Sequence, residues 1–370
     1  MELDIRRESL SHLMYLTNTI VERRNTMPIL ANVKLSARDN TLHVSATDLE
    51  VSLIGQIEAE IKDEGEITVS AKFLHDIVKE LPGDSVSLKT SKGERLEIRS
   101  GQSHFKVNGI SSDEFPSIMG VNLLDPVTVE AKTLYQMLDK TAYAVSLDET
   151  RYNINGVYVE AVEAEQDAVR FVATDGHRLA MIETPSESLS IDKGVIIPRK
   201  GIQELKKVIE NNEGVAKVAI HDGFFTVQCD NTTLGIRLID GEFPDYKKVL
   251  PSEELTKITV DRSEFLSTVK RVSLITTDKQ RSIRFALQGG KLSISSSSPE
   301  YGEAVETIDV NQEGSDVEIG FSARYIIDIL SAMSTSEQIG ISLSGDSGPG
   351  LFTANDDESY RCVVMPLRFE

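Results

Sequence analysis

The segment of this chain richest in reactive groups is Ala173-Thr174-Asp175-Gly176-His177-Arg178-Leu179-Ala180. A hydroxyl, a carboxylate and an imidazole lie close together, and a hydrolase could use His177 as general base with Asp175 orienting its ring. The rest of the chain does not supply the other half of that chemistry. There is no Gly-x-Ser-x-Gly elbow, and His12, His43, His75, His104 and His221 are scattered singly. No His-Glu-x-x-His or Cys/His spacing suits zinc, no Gly-x-x-x-x-Gly-Lys-Ser/Thr loop could cradle a phosphate, and no Gly-x-Gly-x-x-Gly opens a helix. Cys229 and Cys362 cannot build a disulfide framework. These residues point to a chain with no catalytic residue, no metal and no cofactor, in which Asp175-Gly176 is a turn.

The strands that must hold that turn are Val169–Thr174 and Leu179–Glu183, and they belong to a pattern that repeats. Ile5-Arg6-Arg7-Glu8-Ser9-Leu10, Val129-Glu130-Ala131-Lys132-Thr133-Leu134 and Val260-Asp261-Arg262-Ser263-Glu264-Phe265 each lead from a β-like run into a helical one. Ser70-Ala71-Lys72-Phe73-Leu74, Pro198-Arg199-Lys200-Gly201-Ile202 and Ser322-Ala323-Arg324-Tyr325-Ile326 do the same, with steps of 128 and 124 residues from Lys72 to Lys200 to Arg324. Asp113-Glu114-Phe115-Pro116 recurs as Gly241-Glu242-Phe243-Pro244. A period this long is a domain, so three tandem copies are expected, over residues 1–122, 125–251 and 256–370. Each should hold two helices and about eight strands joined by hairpins, an α+β class with mainly antiparallel sheets. Helix starts within each copy lie 64, 68 and 61 residues apart, half the period, which implies an internal duplication. The predicted helices are 6–24, 71–81, 131–146, 198–210, 261–273 and 322–333. On the second, Phe73, Leu74, Ile77, Val78 and Leu81 are assigned to one apolar face. No apolar run approaches the ~20 residues needed to span a bilayer, and Met1–Leu10 has no signal-peptide pattern, so a reducing cytosol is expected.

With 39 Lys+Arg against 59 Asp+Glu, the chain carries −20. Taken whole, that argues against nonspecific nucleic-acid binding. The distribution argues otherwise. The six predicted helices hold 16 basic and 10 acidic residues, a net of +6, which leaves −26 on everything else. Such a contrast fits ordinary solvated helices, and it also fits a basic helical face that meets DNA phosphates without reading sequence. The candidates are Arg6, Arg7, Arg23, Arg24, Lys72, Lys79, Lys132, Lys140, Arg199, Lys200, Lys206, Lys207, Lys270, Arg271 and Arg324.

The segments ATDGHRLA (173–180), VIIPRKGIQELKKVI (195–209) and DGEFPDYKKVLP (240–251), with the C-terminal Tyr360–Arg368, resemble the bacterial β sliding clamps, the processivity subunits of DNA polymerase III. Met27–Leu30 and Ala46–Glu50 extend the likeness, which covers essentially the whole chain. The resemblance implies three clamp domains forming half of a head-to-tail dimeric ring around duplex DNA, with helices lining the hole, sheets outside and no catalysis. It implies a cytoplasmic, nucleoid-associated protein, and DNA-facing Arg24, Lys72, Lys79, Lys132, Lys140, Arg199, Lys200, Lys206, Lys207, Arg271 and Arg324. It also implies a pocket for a short linear motif shared by the polymerase III catalytic subunit, the clamp loader, other polymerases and repair proteins. Carried over, that pocket comprises Ile154, Thr174, Gly176, His177, Arg178, Leu179, Pro244, Val249, Val363, Met365, Pro366, Leu367 and Arg368, with His177 and Arg178 as polar handles and Val364 assigned to the core. The implied homodimer interface sets Phe105 and Val107 against Leu274 and Ile275, and Lys72, Arg95 and Arg99 against Glu300, Glu303 and Glu306. Gln102 and His104 stand where some members carry arginines, and Phe369-Glu370 extends past the usual end. A hydrolase using His177 and Asp175, and an oligomeric module with no DNA role, are the competing readings.

Overall fold

The structure is a computed structural model that describes residues 1–21, 27–162, 168–185, 191, 193–251, 256–276, 282–355 and 357–368. Arg23 and Arg24, expected on the basic helical face, and Phe369-Glu370 lie outside the described residues. Six α-helices occur among those described: α1 (Arg7–Ile20), α2 (Ala71–Glu80), α3 (Ala131–Ala142), α4 (Arg199–Ile209), α5 (Arg262–Val272) and α6 (Ala323–Ala332). Each starts where a strand ends and is followed by three main strands, with a short extra strand after α1 (Glu60–Asp63) and after α5 (Asn311–Glu313). Glu2–Arg6 leads into α1, which precedes Asn32–Arg38, Thr41–Thr47 and Val51–Glu58. Gly65–Ser70 leads into α2, which precedes Ser85–Ser91, Arg95–Ser100 and Ser103–Ile110. The same βαβββ order recurs around α3, α4, α5 and α6, so the half-period spacing marks a structural unit present six times.

α1 and α3 end at Ile20 and Ala142, earlier than their apolar spacing predicts. The hydroxyl of Thr17 donates to Leu13 O at 3.0 Å, and that of Thr141 donates to Met137 O at 2.8 Å. Such back-bonding is neutral to unfavourable for helix continuation. Phe73 departs from its assigned face. Ala71, Leu74 and Val78 are the buried residues of α2, whereas Phe73, about 100° round from Leu74, is 62% exposed.

Among the described residues the chain forms two compact units that cut across the repeats. The first is Met1–Tyr135 with Ile197–Ile239. Its strands join edge to edge in one sheet, in which Val51–Glu58 pairs antiparallel with Thr232–Arg237 and Val51 lies opposite Ile236. α1 packs against both α2 and α4, burying Leu10, Met14 and Ile20 completely.

The second unit is Gln136–Ile196 with Asp240–Glu370. One of its sheets runs Gly156–Val162, Ala168–Thr174, Arg178–Pro185, Asp357–Val364, Gly350–Ala354, Gln338–Leu343, Thr256–Asp261. The pairing of Arg178–Pro185 with Asp357–Val364 sets Arg178 opposite Val364 and Leu179 opposite Val363. Its other sheet has the order Gly302–Asp309, Lys291–Ser298, Ser282–Gln288, Val317–Ser322. α5 and α6 pack together over a chain of edge-to-face rings, with Phe265–Phe285, Phe285–Phe321 and Phe321–Phe352 centroids 5.7, 5.5 and 6.1 Å apart. Burying such a ring is worth ~1.5–3 kcal/mol, and each edge-to-face pair adds ~0.5–1.5 kcal/mol. No helix among the described residues is long and apolar enough to cross a membrane.

Candidate functional site

The Thr174–Arg178 turn is built by its own side chains. Thr174 Oγ1 donates to Arg178 O at 2.6 Å and accepts from Gly176 N at 3.0 Å. Asp175 Oδ1 accepts from His177 N at 2.9 Å and from Arg178 N at 3.0 Å, while Oδ2 accepts from Arg178 Nε at 3.1 Å. The Asp175 carboxylate is therefore committed to the backbone of the turn and to Arg178. Gly176 takes φ +88°, a left-handed conformation that costs a residue with a Cβ.

The first unit contains the same turn. Thr47 Oγ1 donates to Val51 O at 3.1 Å and accepts from Leu49 N at 3.0 Å, and Asp48 Oδ1 accepts from Glu50 N at 2.9 Å and Val51 N at 2.6 Å. The Thr-Asp pair is thus a structural element of the repeat. A third version survives at Ser298, whose Oγ accepts from Glu300 N at 3.3 Å.

Around the second turn lies a pocket of about 190 Å³. Ten of the residues assigned to it from sequence line it together: Ile154, Thr174, Gly176, His177, Arg178, Leu179, Pro244, Val249, Val363 and Met365. Pro366, Leu367 and Arg368 lie outside the lining; Leu367 N instead donates to Gly320 O at 2.8 Å, pinning the tail. Met365 is held at the wall by its N–H, which donates to His177 O at 2.9 Å. Val364 is fully buried.

Arg151, Asp245 and Tyr246 also line the pocket and were missed by sequence reasoning. Arg151 Nη1 donates to Asp175 O at 3.0 Å. Tyr246 is an anchor. Arg170 Nη1 donates to its hydroxyl at 2.5 Å, that hydroxyl in turn bonds Glu160, and burial with this carboxylate raises its pKa well above the ordinary phenol range. Phe243 stacks on Tyr158 with centroids 4.8 Å apart. Beside these anchors, Pro244 and the short 3₁₀ turn Tyr246–Val249 contribute Pro244, Tyr246 and Val249 to the pocket lining. The available signal was Phe243 and Tyr246 bracketing Pro244 in the segment that repeats Asp113–Pro116.

Arg178 corrects an expectation. It lines the pocket, yet its side chain is only 5% exposed and its guanidinium is engaged inside the protein. Besides Asp175 it donates to Asp328 Oδ2 at 2.6 Å and to Tyr143 O at 2.6 Å, and its guanidinium carbon lies 5.2 Å from the Tyr143 ring centroid and 4.5 Å from that of Tyr325. His177 is exposed. The recess combines apolar Ile154, Leu179, Pro244, Val249, Val363 and Met365 with polar Arg151, Thr174, His177 and Asp245.

The basic helical residues differ in availability. Lys72, Lys79, Lys132, Arg199 and Arg324 are exposed. Lys140 is half-buried, 3.0 Å from Asp357 and 4.9 Å above the Tyr360 ring. Lys200 is paired with Asp48, Lys206 lies over the Tyr135 ring at 5.1 Å, and Lys207 meets Glu204 at 2.8 Å. Arg271 forms a fork with Glu306 at 2.6 and 2.8 Å, so a residue expected to face DNA and one expected at a dimer contact neutralise each other. Of the other residues assigned to that contact, Phe105, Leu274, Arg95, Arg99, Glu300 and Glu303 are exposed, and Val107 and Ile275 are half-buried. Glu97 gathers Lys106 at 3.0 Å, Arg99 at 3.0 Å and His104 at 3.3 Å, which hold its pKa down at about 2.

Six βαβββ halves thus follow one another along the chain, and the recess lies beside the turn of the third. Comparison with known families agrees along the chain: residues 1–119, 128–245 and 247–368 match the N-terminal, central and C-terminal domains of the DNA polymerase III beta subunit. The chain belongs to the DNA polymerase III beta subunit family. It is 36% identical to the beta sliding clamp of Caulobacter vibrioides and 35% identical to that of Pseudomonas putida, with 100% of both chains covered in each case. Among solved structures it superposes on the Caulobacter crescentus pol III beta with a TM-score of 0.93 at 36% identity. It superposes on the Bartonella birtlesii clamp bound to griselimycin with a TM-score of 0.95 at 32% identity. Both matches cover 100% of each chain.

Proposed function

We propose that two copies of this chain close head to tail into a ring around duplex DNA, and that each copy docks replication and repair proteins through the Ile154–Met365 pocket. The role is that of a processivity clamp, an accessory subunit without catalysis of its own. One observation supports the ring above all others. Strand pairing of one kind joins successive repeats twice within the chain: Val51–Glu58 with Thr232–Arg237, and Arg178–Pro185 with Asp357–Val364. By position in the repeat, the third such pair is Gly302–Asp309 with Ser103–Ile110. Gly302–Asp309 lies at the end of its sheet, and Ser103–Asn108 pairs only with Arg95–Ser100 among the described residues. The two halves of a third junction are therefore present and unjoined, and each open edge favours pairing with another chain. The flanking charge is complementary, with Lys72, Arg95 and Arg99 on one side and Glu300 and Glu303 on the other.

A closed ring cannot leave a long duplex sideways, so weak phosphate contacts from exposed Lys72, Lys79, Lys132, Arg199 and Arg324 suffice while it slides. The pocket suits a short segment whose Leu and aromatic side chains fill an apolar recess. In this reading the ring-forming domains span residues 1–122, 125–251 and 256–370.

The ring is tested by light scattering at micromolar concentration, where a mass near twice 40.8 kDa is expected. Clamps loaded by a clamp loader should be retained on circular plasmid and lost after linearisation. A monomer, or equal retention on both DNAs, refutes the ring. The pocket is tested with a fluorescent Gln-Leu-x-Leu-Phe peptide. Removing Met365 and everything after it should abolish binding and leave the dimer intact, and unchanged affinity refutes the assignment.

A further inference from the structure

Asp328 lies on α6, outside the pocket lining, and nothing in the proposed function gives it a role. Its Oδ2 accepts from Arg178 Nη1 at 2.6 Å and lies 3.9 Å from Arg324 Nε. We propose that Asp328 is a positioning residue for the peptide pocket, acting through Arg178. The inference rests on the pocket being the docking site.

The Arg178 guanidinium uses each of its three nitrogens on a different element. Nε bonds the Asp175 cap, Nη1 bonds Asp328 on α6, and Nη2 bonds Tyr143 O just past the end of α3. Tyr143 and Tyr325 lie against the same group. A guanidinium this deeply desolvated is held by its partners, and removing one carboxylate leaves charge uncompensated. Asp175, Asp328, Arg178 and Arg324 together sum to zero formal charge; without Asp328 the sum is +1. The consequence reaches the pocket through the backbone. Arg178 lies opposite Val364, Leu179 lies opposite Val363, and His177 O holds Met365 N. Loosening Arg178 therefore loosens the pocket wall from Gly176 to Leu179 and its grip on Met365. Asp175 already caps two amides of the turn and holds Nε of the same guanidinium.

Arg324 discriminates between this account and a simple charge effect. It shares the same oxygen at longer range and is mostly exposed. Its loss should leave Arg178 bonded as before.

The experiment measures affinity for a fluorescent Gln-Leu-x-Leu-Phe peptide in the full-length wild type and in Asp328→Ala, Asp328→Asn and Arg324→Gln, with hydrogen exchange of the Gly176–Leu179 amides alongside. Asp328→Ala should weaken binding about tenfold and speed exchange at His177 and Arg178. Asp328→Asn keeps an acceptor oxygen but not the charge, and should recover part of the affinity. Arg324→Gln should stay within about twofold of the wild type. If Asp328→Ala does not fold, Asp328→Asn carries the test, with a partial loss of affinity and faster exchange confined to the turn. Wild-type affinity and exchange in both Asp328 variants overturn the inference, as does a loss in Arg324→Gln equal to that in Asp328→Ala. A wild type that does not bind the peptide refutes the pocket reading itself, so the two failures are distinguishable.

Discussion

Replacing Gly176 with alanine tests whether the pocket turn depends on a left-handed residue. At φ +88° an added Cβ costs ~1 kcal/mol or somewhat more. It would also meet Arg151 Nη1 and Nη2 at 2.8 Å, displacing a group that donates to Asp175 O, a bond worth ~0.5–1.5 kcal/mol. Against this, alanine restricts the unfolded chain and returns ~0.4–1 kcal/mol. The net is a local destabilisation of ~1–2 kcal/mol, or about 5–30-fold faster opening. Leu49 supplies the internal control. It occupies the Gly176 position of the first-unit turn at φ +79° and is 46% exposed. Leu49→Gly relieves strain of ~1 kcal/mol while the freer unfolded chain takes back a similar amount, so the change there should be small. Native-state hydrogen exchange at His177 and Arg178, and at Glu50 and Val51, reads both turns through amides capped by Asp175 and Asp48. The reasoning fails if Gly176→Ala leaves exchange within twofold of the wild type, or if Leu49→Gly accelerates it as strongly.

Three further outcomes follow from individual groups. Asp48→Ala should cost ~2–4 kcal/mol, since Asp48 caps two amides and pairs with Lys200 while nearly buried; Asp48→Asn should cost less, and equal urea midpoints for the two would contradict this. Glu97, held at about 2 chiefly by Lys106, contributes stability that is present above the ordinary carboxylate range and lost as pH falls from about 4.5 towards 2. Glu97→Gln should flatten acid unfolding in that window, and an unchanged acid limb would count against it. Burial pushes the thiols of Cys229 and Cys362 up to about 11, so neither should be alkylated by iodoacetamide at pH 8 in the folded protein; rapid modification seen by mass spectrometry would show that the core opens.

The long repeat, the half-period and the α+β class were legible because periodicity is a property of the chain itself. Lys72, Lys200 and Arg324 mark equivalent helix starts whatever the helices pack against. The turn residues were legible for the same reason: among the described residues, the side chains of Thr174 and Asp175 bond to neighbours within four positions. Most of the pocket was assigned through resemblance, since nothing local connects Ile154, Val249 and Met365.

Other features required the tertiary structure. Arg178 looks in sequence like an exposed handle beside His177, and only the approach of Tyr143, Tyr325 and Asp328 turns it into a buried anchor. Arg271 and Glu306 each suit an intermolecular role by type, yet they lie 35 positions apart in the chain and pair with each other. Phe73 has the composition of a core residue, and the angular position of its neighbours leaves it in solvent. Lys72, Lys140 and Lys200 are one residue type in three settings, exposed, stacked on Tyr360 and paired with Asp48. Sequence by itself determined the repeating elements and their turns, because those depend on covalent spacing and short-range hydrogen bonds. The tertiary structure decided which charges are free and which are already satisfied, because that depends on the distance between groups far apart in the chain and on the water excluded around them.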